Sequence, residues 1–136
     1  MHLLVREPIR VREIVNQLVD PADGAVVTFE GVVRDHAGGK KVLYLEYHSY
    51  ESMALTQMGA IIRYALKKWP VHRMAIIHRL GRLEIGECSV LIAATSEHRQ
   101  AAFESCRYAI DTLKQQVPIW KREFYSNGAV WIEGAV

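Results

Sequence analysis

Apolar residues recur at helical spacing in three stretches of the chain, and each stretch predicts an amphipathic helix. The first follows Pro8 and ends at the turn-forming residues 20–24, and the second spans about residues 51–69. The third has the clearest periodicity: it begins after Ser96, a residue suited to an N-cap, and ends at Pro118. Its predicted buried stripe consists of Ala102, Phe103, Cys106, Ala109, Ile110, Leu113 and Val117.

Alternating and β-branched runs predict six strands. We expect the first two to pair across the loop 34–41, which carries Gly38 and Gly39 at its tip, and the last two to form a hairpin around residues 126–128. Three helices with strands in adjacent pairs indicate a single α+β domain over residues 1–136, with a mostly antiparallel sheet. The predicted strands are residues 25–33, 42–48, 72–80, 87–95, 119–125 and 129–133.

Composition narrows the class of protein. Half of the 136 residues are hydrophobic and 24% are charged, the balance of a globular domain with one core. The apolar runs are far shorter than the roughly 20 residues that cross a bilayer, and the first residues lack the apolar stretch of a secretion signal. Cys88 and Cys106 have neither zinc-ligand spacing nor a disulfide framework. We therefore expect a cytoplasmic protein without a metal site.

The distribution of charge favours a small anionic ligand. The net charge is only +2, which argues against a nucleic-acid binder. Cations flank the loop 34–41, and Lys114, Lys121 and Arg122 lie close together near the end of the chain. Signature motifs of serine hydrolases, P-loop proteins, dinucleotide-binding folds and zinc peptidases are missing. His72 and His78 would lie about 20 Å apart along one strand, too far to share a metal, and we interpret them as core or surface histidines.

The first candidate binding segment is the junction from Thr95 to Arg99, where a strand passes into the third helix. Free backbone N–H groups in the first helical turn suit a phosphate or a carboxylate. Arg99 is a cation at the positive end of the helix dipole, which is unfavourable unless an anion lies nearby. Glu97 would supply that anion without any ligand, so both interpretations stay open.

Lys114 and Lys121 form the second candidate. Lys114 lies beside the apolar stripe, although a lysine at a helix C-terminus also extends into solvent for purely structural reasons. Lys121 shares a strand face with Ile119, Glu123 and Tyr125. A lysine among bulky apolar neighbours can exchange protons near neutrality, whereas a surface ion pair with Glu123 is the alternative.

Arg34 is the third candidate. A strand delivers this side chain to the mouth of a loop, where a guanidinium group can clamp a phosphate through two hydrogen bonds. An ordinary loop arginine accounts for the same pattern.

Together these segments resemble the large, catalytic subunit of the molybdopterin synthase family. The resemblance follows family order from about residue 24 to residue 133, and its most specific part is PIWKRE with a lysine seven residues before Lys121. Relatives often carry a further arginine beyond this region, where the sequence here has only Gly134, Ala135 and Val136. The matching stretches are GAVVTFEGVVR at 24–34, LEYH at 45–48, IHRLG at 77–81, TSEHR at 95–99, AFE at 102–104, LK at 113–114 and PIWKRE at 118–123.

The resemblance implies an α/β-hammerhead type of fold and a sulfurtransferase of molybdenum cofactor biosynthesis. Such enzymes convert cyclic pyranopterin monophosphate to molybdopterin by inserting two dithiolene sulfurs. The sulfurs arrive as the thiocarboxylate of the C-terminal Gly-Gly of a small ubiquitin-like partner. The resemblance also implies a homodimer of large subunits with a small subunit at each end, a heterotetramer, and no cofactor for this step.

The same resemblance assigns residues by position. Lys114 and Lys121 are its catalytic pair, and their charges suit a phosphate-bearing substrate and the oxyanions of acyl chemistry. Because the partner brings the sulfur, Cys88 and Cys106 keep a structural interpretation. The implied substrate-binding residues are Val32, Val33, Arg34, His98, Arg99, Lys114, Lys121, Arg122 and Glu123.

Helix length adds a geometric prediction. His98 and Lys114 are 16 residues apart on one predicted helix, so they lie about 24 Å apart along its axis. Two side chains so far apart do not meet in one small pocket of a single chain. If both contact one substrate, a second copy must supply one of them. This predicts a site across a homodimer interface, with His98 and Arg99 donated in trans.

Two other classes of protein also fit the residues. One is a non-catalytic binding module that holds an acidic ligand or a protein tail on the same basic side chains. The other is a thiol-based sulfurtransferase that uses Cys88 or Cys106 as its nucleophile.

Overall fold

A computed structural model describes residues 1–132 and confirms the α+β class. The helices are α1 (Val11–Leu18), α2 (Glu51–Lys68) and α3 (Arg99–Gln116). Among the described residues every strand pair is antiparallel except β1 with β6. The strands are β1 (His2–Val5), β2 (Ala25–Val32), β3 (His36–Ala37), β4 (Lys40–Lys41), β5 (Tyr44–Ser49), β6 (Val71–Arg79), β7 (Gly81–Glu84), β8 (Cys88–Ser96), β9 (Ile119–Tyr125) and β10 (Gly128–Ile132).

The first sheet has the order β1-β6-β8-β2 and forms the middle layer of the core. Helices α2 and α3 pack on one face and α1 on the other, so strand β8 is buried along nearly its whole length. Side chains alternate between the two faces. Ala75 and Ala93 stand opposite each other and pack against Leu18 of α1, whereas Ile76 and Ile92 point into the main core. Small side chains on the α1 face allow that short helix to approach closely.

The second sheet has the order β10-β9-β5-β7. The predicted hairpin near residues 126–128 is confirmed, because Tyr125 pairs with Gly128 across a two-residue loop. Gly128 has a φ of 135°, which other residues rarely adopt. The predicted last strand extended to Glu133, which lies outside the described residues.

The expected pairing of the first two predicted strands is wrong. Strand β2 pairs with β8 in the first sheet, whereas β5 pairs with β7 and β9 in the second. Between them, β3 and β4 form a small ribbon closed by a hydrogen bond from Val42 N to the Asp35 carbonyl at 2.9 Å. Gly38 and Gly39 do form its tip, with φ of 57° and 79°. Within residues 1–132 the two ribbon strands pair only with each other, and the strands on either side of the ribbon enter different sheets.

Besides the two-residue strands β3 and β4 of the ribbon, strands β1 and β7 were not predicted from the sequence. Strand β1 lies parallel to β6, and the Met1 ammonium group donates to the Met74 carbonyl at 2.9 Å. Strand β7 occupies a segment expected to be a turn, and its Leu83 is completely buried. Both strands are only four residues long, so their local pattern is too short to show alternation.

The start of α3 also differs from the prediction. Ser96 is the last residue of β8 and donates its hydroxyl to the His98 carbonyl at 2.5 Å, so His98 rather than Ser96 is the N-cap. The predicted stripe is buried with one exception, since Phe103 is 60% exposed. Phe103 lies at the margin of the stripe, where a small rotation of the helix moves a side chain from the core to the surface.

His78 lies in strand β6 and is fully buried. Its Nδ1 donates to the Arg79 carbonyl at 2.8 Å, while Nε2 has no hydrogen-bond partner. Burial lowers the pKa of His78 to about 4, with the hydrogen bond to Arg79 opposing the shift. The imidazole is therefore neutral in the native protein at physiological pH.

This burial predicts an acid-sensitive fold. Below about pH 6.5 the unfolded chain protonates residue 78 while the native chain does not, so the contribution is complete above pH 6.5 and is lost as the pH falls toward 4. The free energy of unfolding should fall by about 3 kcal/mol across this window because of His78 alone. Urea unfolding at pH 7 and pH 4.5 measures the change.

The matched variants are His78→Asn, which keeps a donor near Nδ1, and His36→Asn at an exposed position. The first should be less stable at pH 7 but lose less stability in acid, and the second should follow the wild type. Equal acid losses in the wild type and His78→Asn would contradict the assignment.

Candidate active site

A pocket of about 370 Å³ lies where the two sheets and helix α3 meet. Three of its lining side chains, Arg34, Lys114 and Lys121, are cations, and one, Glu30, is an anion. Such a pocket suits an anionic ligand of small size. Its lining residues are Phe29, Glu30, Gly31, Val32, Arg34, Tyr47, Ser89, Lys114 and Lys121.

Helix α3 delivers Lys114 to this pocket. The preceding residue, Leu113, is completely buried against the first sheet, which fixes the rotation of the last helical turn. Lys114 is itself exposed beside that stripe, as the sequence predicts. Its charge also lies near the unsatisfied carbonyl groups of the helix C-terminus, where a cation is favourable.

Strand β9 delivers Lys121 together with a buried partner. Lys121 Nζ lies 3.6 Å from Glu123 Oε2, and the two side chains are only 17% and 4% exposed. Tyr125 donates its hydroxyl to the other carboxylate oxygen at 2.8 Å. The predicted alternative of a Lys121–Glu123 ion pair is therefore present, but the pair is buried in the wall of the pocket rather than exposed on the surface.

Tyr47 and Ser89 also line the pocket, and sequence reasoning did not single out either residue. Tyr47 stands opposite Lys121 in the register of β5 and β9 and is 4% exposed. Burial raises the pKa of Tyr47, a hydrogen bond with Ser89 opposes the shift, and the charge of Glu123 adds to it. Tyr47 belongs to a matching sequence stretch, but only the strand pairing shows that it adjoins Lys121.

Phe29, Glu30 and Gly31 line the pocket as well and were not selected from the sequence. They directly precede Val32 in strand β2, and this position next to a predicted site residue is the sequence feature that could have identified them. A Cβ atom at Gly31 would lie 2.6 Å from Val90 Cγ1, which explains why the strand has no side chain there.

Some predicted site residues do not line this pocket within one chain. Val33 is buried in the core, and Glu123 lies behind Lys121. Arg122 is on the opposite face of β9, with its guanidinium carbon 4.9 Å from the Phe124 ring centre and 5.4 Å from that of Trp131. Alternation along the strand is the physical reason for this opposite orientation.

His98 and Arg99 lie at the far end of α3. His98 caps the helix, its side chain is 86% exposed, and its Nε2 lies 3.6 Å from Glu97 Oε1. Arg99 is exposed as well. At 1.5 Å per residue, the helix separates His98 from Lys114 by about 24 Å. A single chain therefore does not bring these residues to the pocket.

Neither cysteine lines the pocket. Burial raises the pKa of Cys106 to about 11 and also raises that of Cys88, where the charge of Glu30 adds to the effect. Reactive cysteines have lowered pKa values, so both thiols are poor nucleophiles here. Over residues 1–132 no group of histidine, cysteine or acidic side chains is placed to hold a metal ion. In the same residues none of the helices combines the length and the hydropathy of a membrane span.

Comparison with known proteins identifies the family. Residues 4–116 match the family model described as MoaE protein. The chain is 42% identical over 129 residues to the molybdopterin synthase catalytic subunit of Halalkalibacterium halodurans, which covers 95% of this chain and 83% of that protein. The chain belongs to the MoaE family.

Solved structures agree with this membership. The X-ray structure of molybdopterin synthase from Staphylococcus aureus has a TM-score of 0.91 and 40% identity, with 95% of this chain and 94% of that chain covered. A Helicobacter pylori protein–protein complex of subunits 1 and 2 of molybdopterin-converting factor has a chain with the same fold, with a TM-score of 0.81 and 23% identity over 96% and 88% of the two chains. The MoaE model match includes Lys114 and ends with helix α3, whereas the Staphylococcus aureus match covers nearly the whole chain.

The buried ion pair of this MoaE-family chain predicts a measurable contribution to stability. Glu123→Gln keeps the shape of the side chain but leaves the Lys121 ammonium group without its countercharge. We expect a loss of about 3 kcal/mol in the free energy of unfolding, because breaking a buried pair leaves a desolvated charge.

Tyr125→Phe is the matched control, since it removes one hydrogen bond to the same carboxylate and leaves the charges in place. It should cost about 1 kcal/mol or less. Urea unfolding at pH 7 measures both variants, and equal losses would show that the charge of Glu123 contributes nothing beyond its hydrogen bond.

Proposed function

We propose that the chain is the sulfur-inserting subunit of a molybdopterin synthase. It converts cyclic pyranopterin monophosphate to molybdopterin with sulfur delivered as the C-terminal thiocarboxylate of a small ubiquitin-like partner. The observation that carries the proposal is the convergence of Arg34, Lys114 and Lys121 on one pocket from a loop, a helix and a strand of a MoaE-family fold. The relatives' name, molybdopterin synthase catalytic subunit, supplies the reaction.

Each sulfur transfer has two parts. The thiocarboxylate sulfur forms a bond to a substrate carbon, which loses an oxygen substituent. Water then cleaves the bond between this sulfur and the acyl carbon, which leaves the sulfur on the substrate and a carboxylate on the partner. No electrons are gained or lost, and each part develops negative charge on oxygen. Fixed cations in a small pocket stabilise such charge.

The positions of the cations suggest a division of roles. Arg34 and Lys121 hold the phosphate or the leaving oxygen, and Lys114, which is exposed at the end of α3, lies nearest the thiocarboxylate. Glu123 fixes Lys121 through the buried ion pair. Val32, at the rim of the pocket and 53% exposed, offers backbone contacts to the partner's tail, together with the neighbouring backbone of Val33.

A Gly-Gly tail is small enough to enter a pocket of about 370 Å³. Glycine has no side chain, so an extended tail can bring its carboxyl end close to the lysines. The Helicobacter pylori protein of the same fold occurs in a complex of two subunits, which is consistent with a small partner for this chain. The proposed chemistry requires no metal or nucleotide.

A second copy of the chain completes the site in this proposal. His98 and Arg99 are exposed cationic or ionisable groups that their own chain holds far from Lys114. Donation of both residues across a homodimer interface would bring them to the substrate. The assembly is then a heterotetramer, with a dimer of this chain at the centre and one small subunit at each end. The free cysteines are consistent with a cytoplasmic location.

The two rival functions differ in what the pocket must do. A thiol-based sulfurtransferase is disfavoured, because both cysteines lie outside the pocket and burial raises their pKa values. A binding module would use the same cations but would need only their charge. Substitution of lysine by arginine separates charge from proton transfer.

Lys114 is expected to be essential for product formation. Lys114→Ala should reduce dithiolene formation at least about a hundredfold, the size of one general acid–base or oxyanion interaction. The measurement is reconstitution of the chain with a thiocarboxylated Gly-Gly partner and cyclic pyranopterin monophosphate. Full activity of Lys114→Ala would remove Lys114 from the mechanism.

Two controls sharpen this test. Lys67→Ala, an exposed lysine in the last turn of α2, should retain full activity. Lys114→Arg should keep partner binding but lose most product formation. If Lys114→Arg retained both, the pocket would require only positive charge, as in the binding module.

Mixing variants tests the trans site. Lys114→Ala and His98→Ala homodimers should each be nearly inactive. After subunit exchange, half of the dimers contain one copy of each variant, and one of their two sites has both residues intact. Activity should therefore recover to about a quarter of the wild-type value, by the closed symmetry of a two-fold dimer. No recovery after demonstrated exchange would place His98 and Lys114 in sites that do not share a substrate.

A further inference from the structure

Tyr47 is a buried hydroxyl group in the pocket wall to which the proposed sulfur transfer assigns no role. It is 4% exposed and still lines the pocket beside the cations. In the antiparallel register of β5 and β9 it stands directly opposite Lys121, so both side chains lie on the same face. Residues in such positions have Cβ atoms about 5 Å apart, within reach of a long side chain.

The neighbouring hydroxyl of Ser89 orients the phenol. Ser89 Oγ donates to the Gly31 carbonyl at 3.2 Å and also forms a hydrogen bond with Tyr47. A serine has one proton, so Ser89 donates either to Gly31 or to Tyr47. Its hydrogen bond with Tyr47 lowers the pKa of the phenol, which is the effect of a donor to the phenolic oxygen. In both cases a lone pair of that oxygen is free to accept a hydrogen bond from a cation. An ammonium group has only donors, and Lys121 carries one on the adjacent strand.

The ring of Tyr47 is held in place from behind. His78 packs against it at 4.8 Å between ring centres, with an interplanar angle of 75°. Burial raises the pKa of Tyr47, and the nearby charge of Glu123 raises it further, so the phenol keeps its proton at neutral pH. Tyr47 therefore acts through hydrogen bonds and not as a base.

We propose that Tyr47 is a positioning residue that holds the Lys121 ammonium group in the pocket. Glu123 restrains Lys121 along its own strand, and Tyr47 restrains it from the neighbouring strand. The predicted effect on the reaction rate rests on the proposed function. The restraint on Lys121 does not, and it is measured separately.

Tyr47→Phe tests the role because it removes only the hydroxyl and keeps the ring against His78. In the reconstituted sulfur transfer, kcat should fall about tenfold while KM stays within about twofold, since a misplaced catalytic group affects the transition state more than substrate binding. Tyr44→Phe is the matched control: Tyr44 lies on the other face of the same strand and stacks on Phe124. It should leave both constants unchanged. Equal kcat values for the two variants would overturn the assignment.

The second measurement does not depend on activity. Acetylation of lysines in the folded chain is followed by mass spectrometry, and the labelling rate of Lys121 is compared with that of Lys114. Loss of a restraining hydrogen bond should raise the Lys121 rate about threefold in Tyr47→Phe and leave it unchanged in Tyr44→Phe. Ser89→Ala, which removes the hydroxyl group that orients the phenol, should raise the Lys121 rate as well.

The outcomes separate the two proposals. An unchanged Lys121 rate in both Tyr47→Phe and Ser89→Ala would overturn the positioning role, whatever the enzyme does. A wild-type chain that makes no dithiolene product would instead overturn the proposed function, and the labelling rates would still decide the role of Tyr47.

Discussion

The junction between helix α3 and strand β9 is the constraint on which the site depends. Only residues 117–118 separate a helix that packs on the first sheet from a strand that belongs to the second. The Pro118 carbonyl accepts hydrogen bonds from Ser49 Oγ at 3.0 Å and from Tyr50 N at 3.3 Å, which ties the junction to the end of β5. Because the two layers meet here, Lys114 and Lys121 reach one pocket although they belong to different elements.

The pocket shows how a weakly charged protein gathers three cationic side chains in one place. Glu123 is buried, and a buried carboxylate is tolerable only with a countercharge and a hydrogen bond. Lys121 and Tyr125 supply these, so folding itself fixes one cation at the pocket wall. Lys114 needs no such partner, because it remains exposed at the favourable end of a helix dipole. The net charge of +2 therefore says little about the local field.

Local patterns in the sequence predicted most of the helices and strands. They failed where contacts between distant segments determine whether a strand forms and which strand it pairs with. The three helices and the β9–β10 hairpin follow from periodicity and turn residues. The predicted pairing of β2 with the next strand was wrong, because the partner of a strand depends on which sheet the chain enters after the ribbon 36–41. Strand β1 escaped prediction because its order comes from parallel pairing with β6, a contact with a distant segment.

The site itself was predictable to a different extent. Spacing alone left Lys114 and Lys121 open to structural explanations, and the resemblance selected them. The resemblance assigns site residues by their position in the sequence, whereas alternation along a strand decides which face of the sheet each side chain lies on. The two criteria disagree at Arg122. In a strand only every second side chain points to the same side, so the consecutive predicted residues 121–123 cannot all line one pocket from one chain. Lys121 and Glu123 occupy the pocket side, and Arg122 lies among aromatic rings on the other face. Arg122 could therefore contact a substrate only at a pocket other than that of its own chain. The same holds for His98, which the length of α3 keeps away from Lys114.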